Sequence, residues 1–148
     1  MRYLLDTNIL SDLYNNNSNN HLKIIDHIQK LKKEDEIVVS VLSMYEMSYA
    51  LQNSPEHKKD KIKQGIDNIS QSFVILPLIL RYIELFGLLK KQFKDSRSIN
   101  KENIKKHTMD IMLASCMLSD DCTLVSADKI FPALKQLNNQ LQIKDWTQ

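Results

Sequence analysis

Short apolar runs separated by long helical patterns are what most constrain this chain. RYLL (2–5), EIVVS (36–40), FVIL (73–76) and CTLVS (122–126) favour strands, and LQIKDW (141–146) is a weaker fifth. None shows the clean polar–apolar alternation of a sheet with one wet face, so each is expected to be buried on both sides. Helical patterns fall between them, at 8–14, 21–33, 41–52, 56–71, 78–94 and 107–119. Strands that take turns with helices predict an α/β fold: a mostly parallel central sheet of about five strands flanked by helices in three layers. Glycine occurs only at Gly65 and Gly87, too rarely for a hairpin-rich β protein. Pro77, directly after FVIL, is expected at the first position of a helix. NNNSNN (15–20) predicts a polar loop with an Asn or Ser available to cap the helix that follows. KDSRSINKENIKK (94–106) predicts a loose, polar, basic stretch. The chain has 148 residues and no internal repeat, so one domain over residues 1–148 is expected.

Within this frame a few charges are out of place. The first run, in MRYLLDTNIL, ends in Asp6, and a carboxylate beside Tyr3, Leu4 and Leu5 is costly to bury without compensation. In VLSMYEMSYAL (41–51) Glu46 is the one charged residue. In HTMDIMLASCML (107–118) Asp110 is the one acid, and it shares a helical face with Leu113, Ala114 and Met117. Asp128 comes just after the apolar strand CTLVS. Any one of these alone is more simply a helix cap or an ion-pair partner. Together they fall near the carboxyl ends of strands, where parallel α/β folds collect ligands.

Four carboxylates in one cleft repel: a pair ~4 Å apart costs roughly 4 kcal/mol at an effective dielectric of 20. A divalent cation relieves that, and an all-oxygen set without His or Cys selects Mg²⁺ or Mn²⁺ over zinc. Such a site suits metal-assisted hydrolysis of a phosphodiester.

The same residues resemble the PIN-domain ribonucleases, especially the VapC-type toxins of bacterial type II toxin–antitoxin pairs. YLLDTNIL resembles the family's opening. SVLSMYEMSYAL resembles its second block, with a Ser six residues before the Glu. DIMLAS resembles the third, and LVSADKIF the fourth; the terminal KDW is also a familiar ending. Three features depart from the pattern: Ala50 where many relatives have Gly, Leu113 for the usual Ile, and a longer basic stretch at 94–106. None removes a carboxylate. The resemblance implies a PIN-like fold and a cytoplasmic endoribonuclease that uses Mg²⁺ or Mn²⁺. It implies an acidic, metal-holding site of Asp6, Glu46, Asp110 and Asp128, with Thr7, Asn8 and Ser126 as supporting polar groups. It also implies an RNA substrate (tRNA, rRNA or mRNA), a small cognate antitoxin and a homodimer.

Composition agrees with these expectations. Hydrophobic residues make up 43%, enough for a core, and no run approaches the ~18 apolar residues of a membrane-spanning helix. The N-terminus carries no signal-peptide pattern, because Asp6 interrupts the apolar run. Cys116 and Cys122 form neither a CxxC nor a zinc spacing, which suits packing thiols in a reducing cytoplasm.

The net charge of +2 hides local clusters. Lys90, Lys91, Lys94, Arg97, Lys101, Lys105 and Lys106 run toward Asp110, and Lys101, Lys105 and Lys106 are candidate RNA contacts. A second cluster, Lys58, Lys59, Lys61 and Lys63, reads as a solvated helix face. His107 reads as an ordinary helix-start residue. Two other classes were weighed. Haloacid-dehalogenase-like phosphatases want a second Asp two residues after the first, and this chain has Asn8 there. A non-catalytic PIN-like module that binds RNA or protein would be favoured by loss of an acid, and none is lost.

Overall fold

The computed structural model describes residues 1–148. In chain order the elements are β1 (Arg2–Leu5), α1 (Thr7–Tyr14), α2 (His21–Gln29), β2 (Glu36–Ser40), α3 (Val41–Gln52), α4 (Glu56–Ser72) and β3 (Val74–Leu76). A 3-10 turn (Leu80–Tyr82) then leads into α5 (Ile83–Ser96), α6 (Lys101–Lys105), α7 (Thr108–Ser119), β4 (Thr123–Val125), α8 (Ile130–Leu137) and β5 (Gln142–Lys144). The strands pair in the order β3-β2-β1-β4-β5, and every pairing is parallel. The chain builds outward from β1 through β2 to β3, then returns to place β4 and β5 on the other side. The order therefore reverses between β1 and β4, which is where such sheets leave a crevice.

Strand side chains alternate between two faces, and both are dry. Leu4, Val38 and Leu124 join one core with residues of α5, α6, α7 and α8. Tyr3, Leu5, Val39 and Val125 join the other, with Ile9, Leu10, Ile24, Ile69 and Trp146. Each fully buried Leu or Ile contributes roughly 1.5–3 kcal/mol of transfer free energy. The unalternating strands are thus explained by two apolar faces, giving the three layers expected. Helix α3 serves both cores: Leu42 enters one and Met47 the other.

The structure corrects several local expectations. Residues 30–33 are not helical; the helix stops at Gln29, and the Lys32 amide bonds the Asp35 carboxylate at 2.9 Å in the following loop. Pro77 precedes the 3-10 turn rather than starting a helix. Asn20 occupies the N-cap of α2 without a side-chain cap. Instead Asn20 and Ser18 donate to the two carboxylate oxygens of Asp12, at 2.8 and 2.6 Å. The stretch 94–106 is not all loose: Asn100 caps α6 through the Asn103 amide at 2.9 Å, and Ile104 is buried. Helix α8 lies outside the helical stretches expected from the sequence. Pro132 lies in its first turn, where no intrahelical N–H is lost.

Far from the switch point, Arg81 and Tyr82 both donate to the buried carboxylate of Asp120 at the C-terminus of α7. That anchors the 3-10 turn and the start of α5. No helix is long and apolar enough to cross a membrane.

Candidate active site

Asp6 follows directly on β1, and its amide donates to the Val125 carbonyl of β4 at 3.0 Å. It stands at the switch point, 7% exposed. It caps α1, with the Thr7 amide donating to Oδ1 at 2.7 Å, and Ser126 Oγ donates to Oδ2 at 2.8 Å. Burial raises its pKa, the Ser126 and Thr7 hydrogen bonds pull it down, and Glu46 and Asp128 push it up. Its backbone position is fixed by helix capping, and its charge faces the other acids.

Ser126 sits past the end of β4 and is buried. Besides donating to Asp6, its hydroxyl accepts the Asp128 amide at 3.1 Å. One side chain thus ties the two strand-end carboxylates together. Asp128 is exposed and accepts the Ile130 amide at 3.0 Å, steadying the entry to α8.

Glu46 is the sixth residue of α3. Ser40 starts that helix by accepting the Leu42 amide at 3.2 Å. Glu46 is exposed rather than enclosed in an apolar face, and its neighbours Tyr45 and Tyr49 are exposed as well. The apolar composition of α3 arises because its two inner edges feed both cores, not because its outer face is covered. Thr7 Oγ1 donates to Glu46 Oε1 at 2.8 Å and links α1 to α3. Asn8 stands exposed in the first turn of α1.

Asp110 lies in the first turn of α7, above buried Leu113, Ala114 and Met117. Its carboxyl is pushed up to about 7, first by burial and then by the charges of Asp128, Asp6 and Glu46. The four acids therefore sense one another across one crevice. They do not close on it: no three His, Cys, Asp or Glu side chains stand near enough to form a ready metal cage. Mutual repulsion is the physical reason for the spacing, since uncompensated carboxylates lower their energy by standing apart. The donor set fits a hard cation. All four are oxygen ligands, and Asp110 accepts no hydrogen bond that would compete; the nearest imidazole, His107 Nδ1, is 3.9 Å from Oδ2.

The basic residues divide. Lys101 and Lys105 line one groove with lysines of α5, whereas Lys106 is exposed outside it. Lys90 reaches Thr108 Oγ1 at 3.1 Å, two residues from Asp110. His107 precedes α7 and packs edge-on against Phe93, with ring centroids 5.4 Å apart. Sequence reading missed the Thr7–Glu46 bond and the dual role of Ser126. The Thr7–Glu46 and Ser126–Asp6 bonds have no signal in spacing, because their partners come from distant elements.

A family model described as PIN domain matches residues 3–137. No curated protein matches the chain. Among solved structures, VapBC2 from Rickettsia felis, bound to a DNA fragment from its promoter, aligns with a TM-score of 0.77 at 20% identity, covering 99% of each chain. VapBC-1 from nontypeable Haemophilus influenzae aligns at 0.76 and 21%, covering 100% of each. FitAcB from Neisseria gonorrhoeae aligns at 0.75 and 16%, covering 97% of each. At these identities the likeness is one of fold.

Proposed function

Since this chain belongs to the PIN domain family, we propose that it is a metal-dependent endoribonuclease, the toxin of a toxin–antitoxin pair. The observation that carries the reading is that Asp110 is raised to about 7 by burial and by the charges of Asp128, Asp6 and Glu46, four acids that share this end of the sheet without closing into a cage. That excess of negative charge calls for a cation, and the oxygen donors favour Mg²⁺ or Mn²⁺. When bound, such an ion supplies charge neutralisation at a phosphate and a more acidic water.

The chain's own residues do the remaining work. Ser126 and Thr7 hold Asp6 in one rotamer through both its oxygens. Thr7 orients Glu46 through Oε1. Ser126 fixes the backbone of Asp128. Burial and the other three acids favour a proton on Asp110, and a cation held beside it would favour the carboxylate. Asn8, exposed next to Thr7, is placed to meet substrate.

The fold neighbours are VapBC and Fit complexes. They support a small antitoxin as partner; the cytoplasmic homodimer and its action on tRNA, rRNA or mRNA are our extension of the family reading. The test is cleavage of labelled tRNA, rRNA and mRNA by purified protein with Mg²⁺, Mn²⁺ or EDTA, with Asp110→Asn as control. Cutting that needs Mg²⁺ or Mn²⁺ and stops in EDTA is expected. Activity that survives exhaustive chelation, or needs Zn²⁺, would overturn the metal assignment. No cleavage of any RNA would favour a non-catalytic binding module instead.

A further inference from the structure

Helices α5 and α6 enclose a shallow groove walled by Lys90, Lys91, Lys94, Lys101 and Lys105, with Gly87 at its edge. Ile104 is the remaining lining residue, so no acid faces the groove. We propose that this groove is the track along which the sugar–phosphate backbone of a single-stranded RNA runs to the carboxylate site. The proposal rests on the nuclease reading above and deepens it.

Three observations carry it. The first is charge that is free to act. Lys90, Lys94 and Lys101 form no ion pair. Lys91 and Lys105 have partners in Asp95 at 2.6 Å and Glu102 at 3.1 Å, but both pairs are exposed and weak enough to yield to a phosphate. The second is continuity. Lys90 Nζ is hydrogen-bonded to Thr108 Oγ1, in the first turn of the helix that carries Asp110. From the same helix Phe93 packs against His107, whose Nδ1 lies 3.9 Å from Asp110 Oδ2, so the groove's helix adjoins the site.

The third is Gly87. It lies inside α5, where glycine is the least favourable residue except proline. Packing does not require it: a Cβ there would meet nothing within 4 Å. By contrast, a Cβ at Gly65, the chain's other glycine, would lie 3.6 Å from the Tyr14 side chain. A bare position in a lysine-walled groove leaves room for a backbone to approach closely. Lys106, a candidate from sequence, lies outside the groove and is not part of the track.

The experiment measures binding of a fluorescent single-stranded oligouridine to the full chain in EDTA, across a salt series. The combined variant Lys91→Gln, Lys94→Gln, Lys101→Gln should weaken binding at least tenfold at low salt. Its log–log salt slope should flatten by about 2, at ~0.7 per lost phosphate contact. The matched variant Lys58→Gln, Lys59→Gln, Lys63→Gln on α4 makes the same change in net charge and should keep the wild-type slope. Gly87→Gln should also weaken binding at least tenfold without lowering the melting temperature, because Gln is the better helix former. Wild-type affinity and slope in both groove variants would overturn the proposal, as would displacement of RNA by poly-glutamate as readily as by unlabelled RNA. Cleavage with Mg²⁺ is read separately. RNA cut by the wild type while the groove variants bind normally refutes the groove and spares the nuclease reading. Lysine-dependent binding without any cleavage supports the groove and refutes the nuclease.

Discussion

Replacing Asp110 by Asn removes one of four mutually repelling charges and preserves the side-chain volume. In the metal-free protein, burial and then Asp128, Asp6 and Glu46 raise this carboxyl from 3.8 to about 7. Between those values the folded chain keeps a proton that the unfolded chain has released. Stability present at low pH is therefore lost as pH rises through about 7. Across that interval the loss would reach ~4 kcal/mol at ~1.4 kcal/mol per pH unit. The side chain is 32% exposed, and solvent screening reduces the figure to ~1–2 kcal/mol. Asn also forfeits the attraction of an anion to the first turn of α7, ~0.3–1 kcal/mol. The balance leaves Asp110→Asn about 1 kcal/mol more stable than wild type above about pH 8 in EDTA, or ~2–4 °C in melting temperature for a chain of this size. The two melting curves should converge only below about pH 3.5, where the wild-type carboxyl is neutral in both the folded and the unfolded state. Saturating Mg²⁺ should then raise the wild type by up to ~2.7 kcal/mol at 100 times its dissociation constant, and the mutant by much less. Thermal melts from about pH 3 to 8, with EDTA or Mg²⁺ at fixed ionic strength, measure all of this. A mutant markedly less stable than wild type at high pH in EDTA would make Asp110 an ion-pair or capping residue, and the repulsion argument would fail.

Other outcomes follow from single contacts. Asp6→Asn should cut the cleavage rate at least ~100-fold with little change in melting temperature, because Asn still accepts the Thr7 amide but loses the charge; near-normal activity would remove Asp6 from the site. Ser126→Ala leaves Asp6 Oδ2 and the Asp128 amide without their shared partner, so it should cost ~1–3 kcal/mol in denaturant melts and reduce activity. Ser43 Oγ is buried with no partner, so Ser43→Ala should be neutral or stabilising by up to ~1 kcal/mol; clear destabilisation would reveal an unseen bond. Asp120→Ala frees both Arg81 and the Tyr82 hydroxyl, and should lower stability by ~2–4 kcal/mol while leaving RNA cleavage per folded molecule unchanged.

By itself the sequence determined the layers and the acids. Runs such as RYLL and EIVVS, apolar on both faces, admit little but a sheet covered twice, and a sheet so covered and threaded with helices is parallel. Asp6 and Asp110 stood out because a charge in an apolar run is costly, and that cost is written in the local composition. Local chemistry also marked the basic run ahead of Asp110. Tertiary structure decided the rest. Whether Glu46 is enclosed depends on what packs against the outer face of α3, and nothing local states that the outer face is bare. Ser126 could be assigned its bond to Asp6 only once β4 lay beside β1, because the two are 120 residues apart in the chain. The choice of Lys101 and Lys105 over Lys106 for the groove, and the addition of Lys90 and Lys94, depended on how α6 sits against α5. Pairwise spacing encodes which residues share one helix or strand. It carries no information about which elements become neighbours, and the carboxylate crevice is made by neighbours: the carboxyl ends of β1 and β4, the first turn of α7 and the second turn of α3.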